Sequence, residues 1–145
     1  MSRREREKGR KAEAEVRAIY SEHGFAVRGL EGSGDHLAIG HGLTIHSEVK
    51  RQEVLRLPLW TRQLAAEAPA GSLPILAYRR SREPWRALTP EHQVYDILRA
   101  AGYAGGLNYS LQAYNGWWYV QIHLDDLLSG LVAGVSAEKL QEAVS

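Results

Sequence analysis

The sequence predicts an α/β fold in a single domain, and three observations carry that prediction. Segments with helical spacing of apolar residues alternate with short strand-like segments, in the order helix, three strands, helix, two strands over residues 4–88. The 145 residues are 44% apolar and 24% charged, a balance that suits one core of ordinary size. The chain has no cysteine, which removes a disulfide framework, a thiolate zinc site and a cysteine nucleophile. No run of about 18 apolar residues occurs, which excludes a membrane span. The basic opening MSRREREKGRKAE has no apolar stretch behind it, so it does not read as a secretory signal, and an intracellular, cytoplasmic protein is expected.

Residues 4–22 read as the first helix, because Ala12, Val16, Ile19 and Tyr20 fall on one stripe. His23-Gly24 ends it, with the glycine just past the last helical residue. Phe25–Arg28 and Asp35–Ile39 read as strands, separated by the loop Glu31-Gly32-Ser33-Gly34. Leu43–Lys50 alternates: Leu43, Ile45, Ser47 and Val49 face one way, and Thr44, His46, Glu48 and Lys50 the other. Pro58 opens a second helix that runs toward Ala68, where Pro69 stops it. Pro74–Arg79 and Trp85–Leu88 are two further strands. Thr89-Pro90-Glu91 predicts a helix start, with Thr89 as cap, and Val94, Ile97, Leu98 and Ala101 turned inward. Residues 102–116 read as loop or a weak hairpin arm, Trp117–Leu124 as a strand, and Asp125-Asp126 as a turn. Ser136 is the expected cap of a last short helix, with Val135 and Leu140 forming a hydrophobic staple.

Charge is unevenly spread. Residues 1–86 hold 16 Lys and Arg against 11 Asp and Glu, whereas residues 87–145 hold 2 against 6. A basic front on a chain of net charge +1 points to a polyanion on one face, or else to a solvated, charge-rich first helix.

The chemistry is concentrated between Asp35 and Lys50. Glu48 and Lys50 share a strand face, and a hairpin about His41 would bring Asp35 to it. Two close carboxylates repel unless a cation lies between them. Hard oxygen ligands select Mg²⁺ or Mn²⁺, ions that activate water and neutralise charge at phosphorus. Glu13, beside Val16 and Tyr20 on the first helix, is placed to add a third carboxylate. By itself an acid followed by Glu-x-Lys is equally a surface ion pair. His36 and His46 read as solvated or hydrogen-bonded rather than as ligands, with His46 best placed to touch one.

In combination the motifs carry a resemblance. Lys8-Gly9-Arg10-Lys11-Ala12-Glu13, His23-Gly24-Phe25-Ala26-Val27-Arg28, Gly32-Ser33, Asp35 and Glu48-Val49-Lys50 resemble the PD-(D/E)XK nuclease superfamily. Within it they most resemble the archaeal Hjc-type Holliday-junction resolvases, which also occur in some viruses. Leu73-Pro74-Ile75-Leu76-Ala77, Arg79 and Trp85-Arg86 continue the match, which covers residues 8–88. The resemblance implies a mixed β-sheet flanked by helices, with a C-terminal extension. It divides a single nuclease domain, residues 1–145, into a catalytic core at 1–90 and an extension at 91–145 that is a candidate for dimerisation. It also implies a homodimeric, Mg²⁺- or Mn²⁺-dependent DNA endonuclease that nicks opposed strands of a four-way junction, acting in recombination and repair. A viral member would work in the host cytoplasm.

Carried over residue by residue, the resemblance puts metal ligands on Glu13, Asp35, Glu48 and Val49, and further catalytic roles on Lys50 and Ser33. It puts DNA contacts on Arg28 and Arg79, and Arg10 joins them from a basic arm made of Arg3, Arg4, Arg6, Lys8, Arg10 and Lys11. The chain departs from the family in having Ala14 directly after Glu13, a short loop from Ser33, and Gly34 before Asp35. Another nuclease on the same core, of restriction or repair type, and a DNA-binding module without catalysis are the alternatives. The apolar run Trp117–Leu124, Leu127-Leu128 and the helix from Pro90 to Ala101 are the expected dimer surface. Trp117 and Trp118 are also candidates to stack on unpaired bases.

Overall fold

The structure is a computed structural model and describes residues 2–30, 35–102 and 109–144. Its elements are α1 (Arg3–Glu22), β1 (Ala26–Gly29), β2 (Asp35–Gly40), β3 (Leu43–Arg51), α2 (Leu57–Glu67), β4 (Leu73–Arg79), β5 (Arg86–Pro90), α3 (Glu91–Ala100), β6 (Ser110–Tyr114), β7 (Trp117–His123) and α4 (Leu124–Val144). The strands form one seven-stranded sheet in the order β1-β2-β3-β4-β5-β7-β6. Among the described residues only β3 and β4 run parallel, joined through α2, and the other neighbours are antiparallel. The molecule is therefore α/β with a mixed sheet flanked by helices.

Helix α1 starts with a capping box, in which the Ser2 hydroxyl accepts from the Glu5 amide and the Glu5 carboxylate accepts from the Ser2 amide. Its buried stripe is Ala12, Val16 and Tyr20. It stops at His23, whose carbonyl accepts from His41 Nε2 at 2.8 Å. β2 and β3 are joined by the two-residue turn His41-Gly42, and both residues have positive φ (54° and 77°). That geometry matches the twist of a hairpin and sets its register. The main core lies between the sheet and α1, α3 and α4, around Val16, Tyr20, Ile45, Ile75, Val94, Val120, Leu127 and Leu131. On the other face α2 packs Trp60 and Leu64 against Leu76, Tyr78, Leu88 and Tyr119. Each such buried side chain contributes roughly 1.5–3 kcal/mol of transfer free energy.

Three sequence expectations change here. Thr89 is not a helix cap; it sits in β5 and donates to the Pro74 carbonyl at 3.0 Å, and Pro90 takes the cap position. Asp125, Asp126 and Ser136 all lie within one 21-residue helix, α4, so there is neither a turn at 125–126 nor a separate short helix capped by Ser136, and Leu140 is exposed rather than stapled. The stripe Leu124, Leu127, Leu128 and Leu131 is fully buried and outweighs the helix-breaking signal of two glycines. Finally, the described residues after Pro90 are not appended to a finished core. Strands β6 and β7 extend the same sheet beyond β5, and Val94, Val120 and Leu131 belong to the same apolar cluster as Val16 and Ile45. Among the described residues no helix is long and apolar enough to cross a membrane.

Candidate active site

The β2–β3 hairpin builds the centre of the site. Its register pairs Asp35 with Glu48, so the two carboxylates face each other on one side of the sheet. His46 and Lys50 flank Glu48 at two-residue spacing and share that face. Lys50 Nζ lies 3.2 Å from Glu48 Oε1, and His46 Nε2 lies 3.0 Å from Asp35 Oδ2. A carboxylate can only accept, so Nε2 carries the hydrogen of that contact. Asp35, His46 and Glu48 are buried. The His46 Nδ1 and Glu48 Oε2 atoms have no hydrogen-bond partner.

Burial sets the electrostatics. It pushes the Glu48 carboxyl above the ordinary range; Lys50 opposes that shift and Asp35 adds to it. Asp35 is raised by burial and by a hydrogen bond with the Glu67 carboxyl, against the pull of His46. Glu13, half-buried on α1, is raised by burial, lowered by Arg17 and raised again by the Asp35 charge, so it lies within electrostatic reach of the hairpin. Asp35, Glu48 and Lys50 thus share one face of the hairpin, while Glu13, on the helix that covers the opposite face, is linked to them through the charge of Asp35.

Val49 turns its side chain to the α1 core, which leaves its backbone as its only donor to the site. Beside it, between α1 and the end of β3, runs a trough of about 740 Å³ lined by Arg6, Lys8, Arg10, Glu13, Val49, Lys50 and Arg51, among others. Arg10 is therefore next to the site. Arg28 is exposed on β1, and the pairs Arg28–Leu37 and Leu37–His46 place it on the site's face.

Arg79 is placed differently. Its Nη2 donates to Glu15 Oε2 at 3.1 Å, its guanidinium lies 5.2 Å from the centre of the Trp85 ring, and its side chain is 13% exposed. Trp85 Nε1 donates to the same Glu15 oxygen, so Arg79 ties β4 to α1 rather than standing free for a phosphate. Ser33 lies outside the described residues. His36 faces away from the site, fully buried with its ring edge-on to Tyr20.

The residue that sequence reasoning missed is Glu67. It ends α2, and its carboxylate, one Asp35 oxygen and one His46 ring nitrogen lie within 4.8 Å of one another. A signal was present. Glu67 follows Trp60 and Leu64 at i+7 and i+3, so it is an acid on the inward stripe of its helix. The chain matches no protein-family model, and no curated protein is significantly similar to it.

Proposed function

We propose that this chain is a metal-dependent DNA endonuclease that hydrolyses phosphodiesters in branched DNA, four-way junctions above all, and works as a homodimer. The observation that supports this reading is the shared face of Asp35, Glu48 and Lys50 on the β2–β3 hairpin, with Glu13 within electrostatic reach of Asp35 and lining the basic trough beside them. The donors fit a hard divalent ion: they are carboxylates, two of them buried, and Glu48 keeps an unpartnered oxygen. Glu13, Asp35, Glu48 and the Val49 carbonyl would hold Mg²⁺ or Mn²⁺. Such an ion, when bound, supplies a water of lowered pKa and a counter-charge for the transition state. The Lys50 ammonium is placed to orient the attacking water or to donate to a developing oxyanion. Arg6, Lys8, Arg10 and Arg51 supply the sequence-independent grip on phosphates. The choice of a four-way junction rests on the motif resemblance. A two-fold symmetric substrate that needs two nicks also suits a two-fold symmetric dimer.

A labelled four-way junction and a linear duplex, each incubated with and without Mg²⁺, test the reading. Cleavage confined to the junction and to the Mg²⁺ samples is the expected result. Asp35→Asn and Glu48→Gln should each abolish cleavage and leave junction binding intact, since affinity comes mainly from phosphate contacts elsewhere. If about 6 phosphates are neutralised per protomer, log K should fall with log salt at a slope of roughly −5. Full activity of either variant removes the site assignment, and equal cleavage of linear duplex removes the junction.

A further inference from the structure

We propose that Asp35, His46 and Glu67 form a second divalent-cation site, which shares Asp35 with the Glu48 side and takes a transition ion of the Mn²⁺ class in preference to Mg²⁺. The proposal deepens the metal-dependent reading above by giving the centre two cations of different chemistry.

Three elements supply the donors. Asp35 opens β2, His46 lies diagonally across the ladder on β3, and Glu67 closes α2. One ligand atom from each lies within 4.8 Å of the other two. Two of the three residues are buried, and the His46 side chain is only 4% exposed, with Nδ1 unpartnered. Gathering two carboxyls and an imidazole at a largely buried position costs free energy unless positive charge accompanies them. The neighbouring Glu48 keeps an unpartnered oxygen as well, while Lys50 is engaged with its other oxygen. Cationic charge at this centre therefore falls short of the carboxylates gathered there. Helix α2 adds to the imbalance, because it ends at Glu67 and directs the negative end of its dipole toward the cluster.

The donor chemistry gives the selectivity. Mg²⁺ demands an oxygen octahedron and sheds water reluctantly, so an imidazole is a poor ligand for it. Imidazole together with carboxylate suits the first-row transition ions. In the metal-free state His46 Nε2 donates to Asp35; with a cation between them the same nitrogen offers its lone pair and the ring hydrogen moves to Nδ1. The Glu48 side has no nitrogen ligand and remains a site for Mg²⁺.

Calorimetric titration of the full chain with MnCl₂ and with MgCl₂ tests the proposal, with Co²⁺ absorption as a second readout of the ligand field. Two Mn²⁺ per chain and one Mg²⁺ are expected. Glu67→Gln, at an exposed helix end where folding is not at stake, should leave one Mn²⁺ and the Mg²⁺ site unchanged. His46→Gln should do the same and also alter the Co²⁺ bands. The affected Mn²⁺ should weaken roughly 100-fold or more, since losing even an outer hydrogen-bond partner of a ligand costs about 10–100-fold. A single Mn²⁺ site that Glu67→Gln leaves untouched overturns the proposal, and so does Mg²⁺ filling both sites equally. Neither result depends on DNA cleavage. A chain that binds two Mn²⁺ yet cuts no junction refutes the nuclease reading and leaves this site standing.

Discussion

Arg79 and His36 show how much a single side chain's surroundings decide. A basic residue in a basic half of the chain reads as a phosphate contact, but the partner of Arg79 is Glu15, 64 positions away. Removing one member of a buried pair strands the other charge. Because Glu15 is partly open to solvent, Arg79→Ala should cost about 2 kcal/mol in urea denaturation, below the full buried-pair figure. It should leave the salt dependence of DNA binding unchanged, and a slope shallower by about one unit at unchanged stability would return Arg79 to the DNA. His36 is buried without a partner for either ring nitrogen. Its pKa is lowered to about 4, first by burial and then by Arg17 and His46. The unfolded chain takes up this proton near pH 6.5 and the folded one only near 4, so stability falls as the pH drops through that window. The loss approaches ~3 kcal/mol at its acid end. The raised carboxyls of Asp35 and Glu48 act in the opposite sense, and comparing wild type with His36→Leu subtracts them. Denaturation at pH 7.5 and pH 5 should show the variant losing less; equal losses would contradict the assignment. That Asp35, Glu48 and Lys50 share one face was legible because strand parity is local. The inward spacing of Glu67 is a local signal, but its meeting with Asp35 and His46 is not, because the angle at which α2 crosses the sheet is written in no local pattern.

At the scale of elements, the two hairpins closed by two-residue turns contrast. The first is legible in its glycines. The second, β6–β7, turns on Asn115-Gly116, again with both φ positive (54° and 83°), and its sequence reads only as a weak arm. Asn-Gly between strands is among the strongest hairpin signals, but Gly102, Gly105, Gly106 and Asn108 crowded before it mask the pattern. Asn115 does more than turn the chain: its amide donates to the Pro58 carbonyl at 2.9 Å, pinning the hairpin to the start of α2. The sequence of α4 reads as interrupted, because glycine in mid-helix costs about 1 kcal/mol and Ser136 offers a cap for a fresh start. Gly134 earns its position through packing. A Cβ there would lie 2.0 Å from the Ile97 carbonyl oxygen of α3, against backbone that cannot rotate away. Gly134→Ala should therefore destabilise the protein by about 3 kcal/mol despite alanine's higher helix propensity, the upper end of overpacking costs. Thermal unfolding measures this, and a stabilised variant would mean that α3 and α4 separate easily.

For the whole molecule, the expected dimer surface has to be redrawn. Leu124, Leu127 and Leu128, expected there, are fully buried within the single chain, as are Val120 and Ile122 nearly so. An apolar run in sequence does not say whether it meets its own chain or another copy. Exposed apolar surface remains at the sheet edge, where Trp118 (56% exposed) and Leu111 (44%) share a face of the β6–β7 hairpin, and Trp117 stands on the other face. If the protein is a homodimer, this edge is the surface to mutate. Light scattering of the wild type should give twice the 16.2 kDa chain, and Leu111→Ser with Trp118→Ser should bring it down to one. A dimer that survives both changes places the contact elsewhere. The α/β class and the order of the first seven elements were legible, since each follows from spacing, caps and turns. The fusion of residues 91–144 into the same sheet was not, because β5 meets β7 rather than its neighbour in sequence.

The two-residue turn at His41-Gly42 has a consequence beyond its own geometry. Side chains on a strand obey a parity rule, so what the turn transmits to Asp35 and Glu48 is a choice between even and odd. A slip of one residue would leave the sheet's hydrogen bonds countable as before, yet it would exchange the chemical face of β3 for its packing face. Ser47 and Val49 would then stand where Glu48 and Lys50 should, and charged groups would be driven toward Tyr20 and Val16. The core thus acts as a proofreader for the chemistry: the misregistered hairpin that would disarm the site is also the one the apolar side of the sheet rejects.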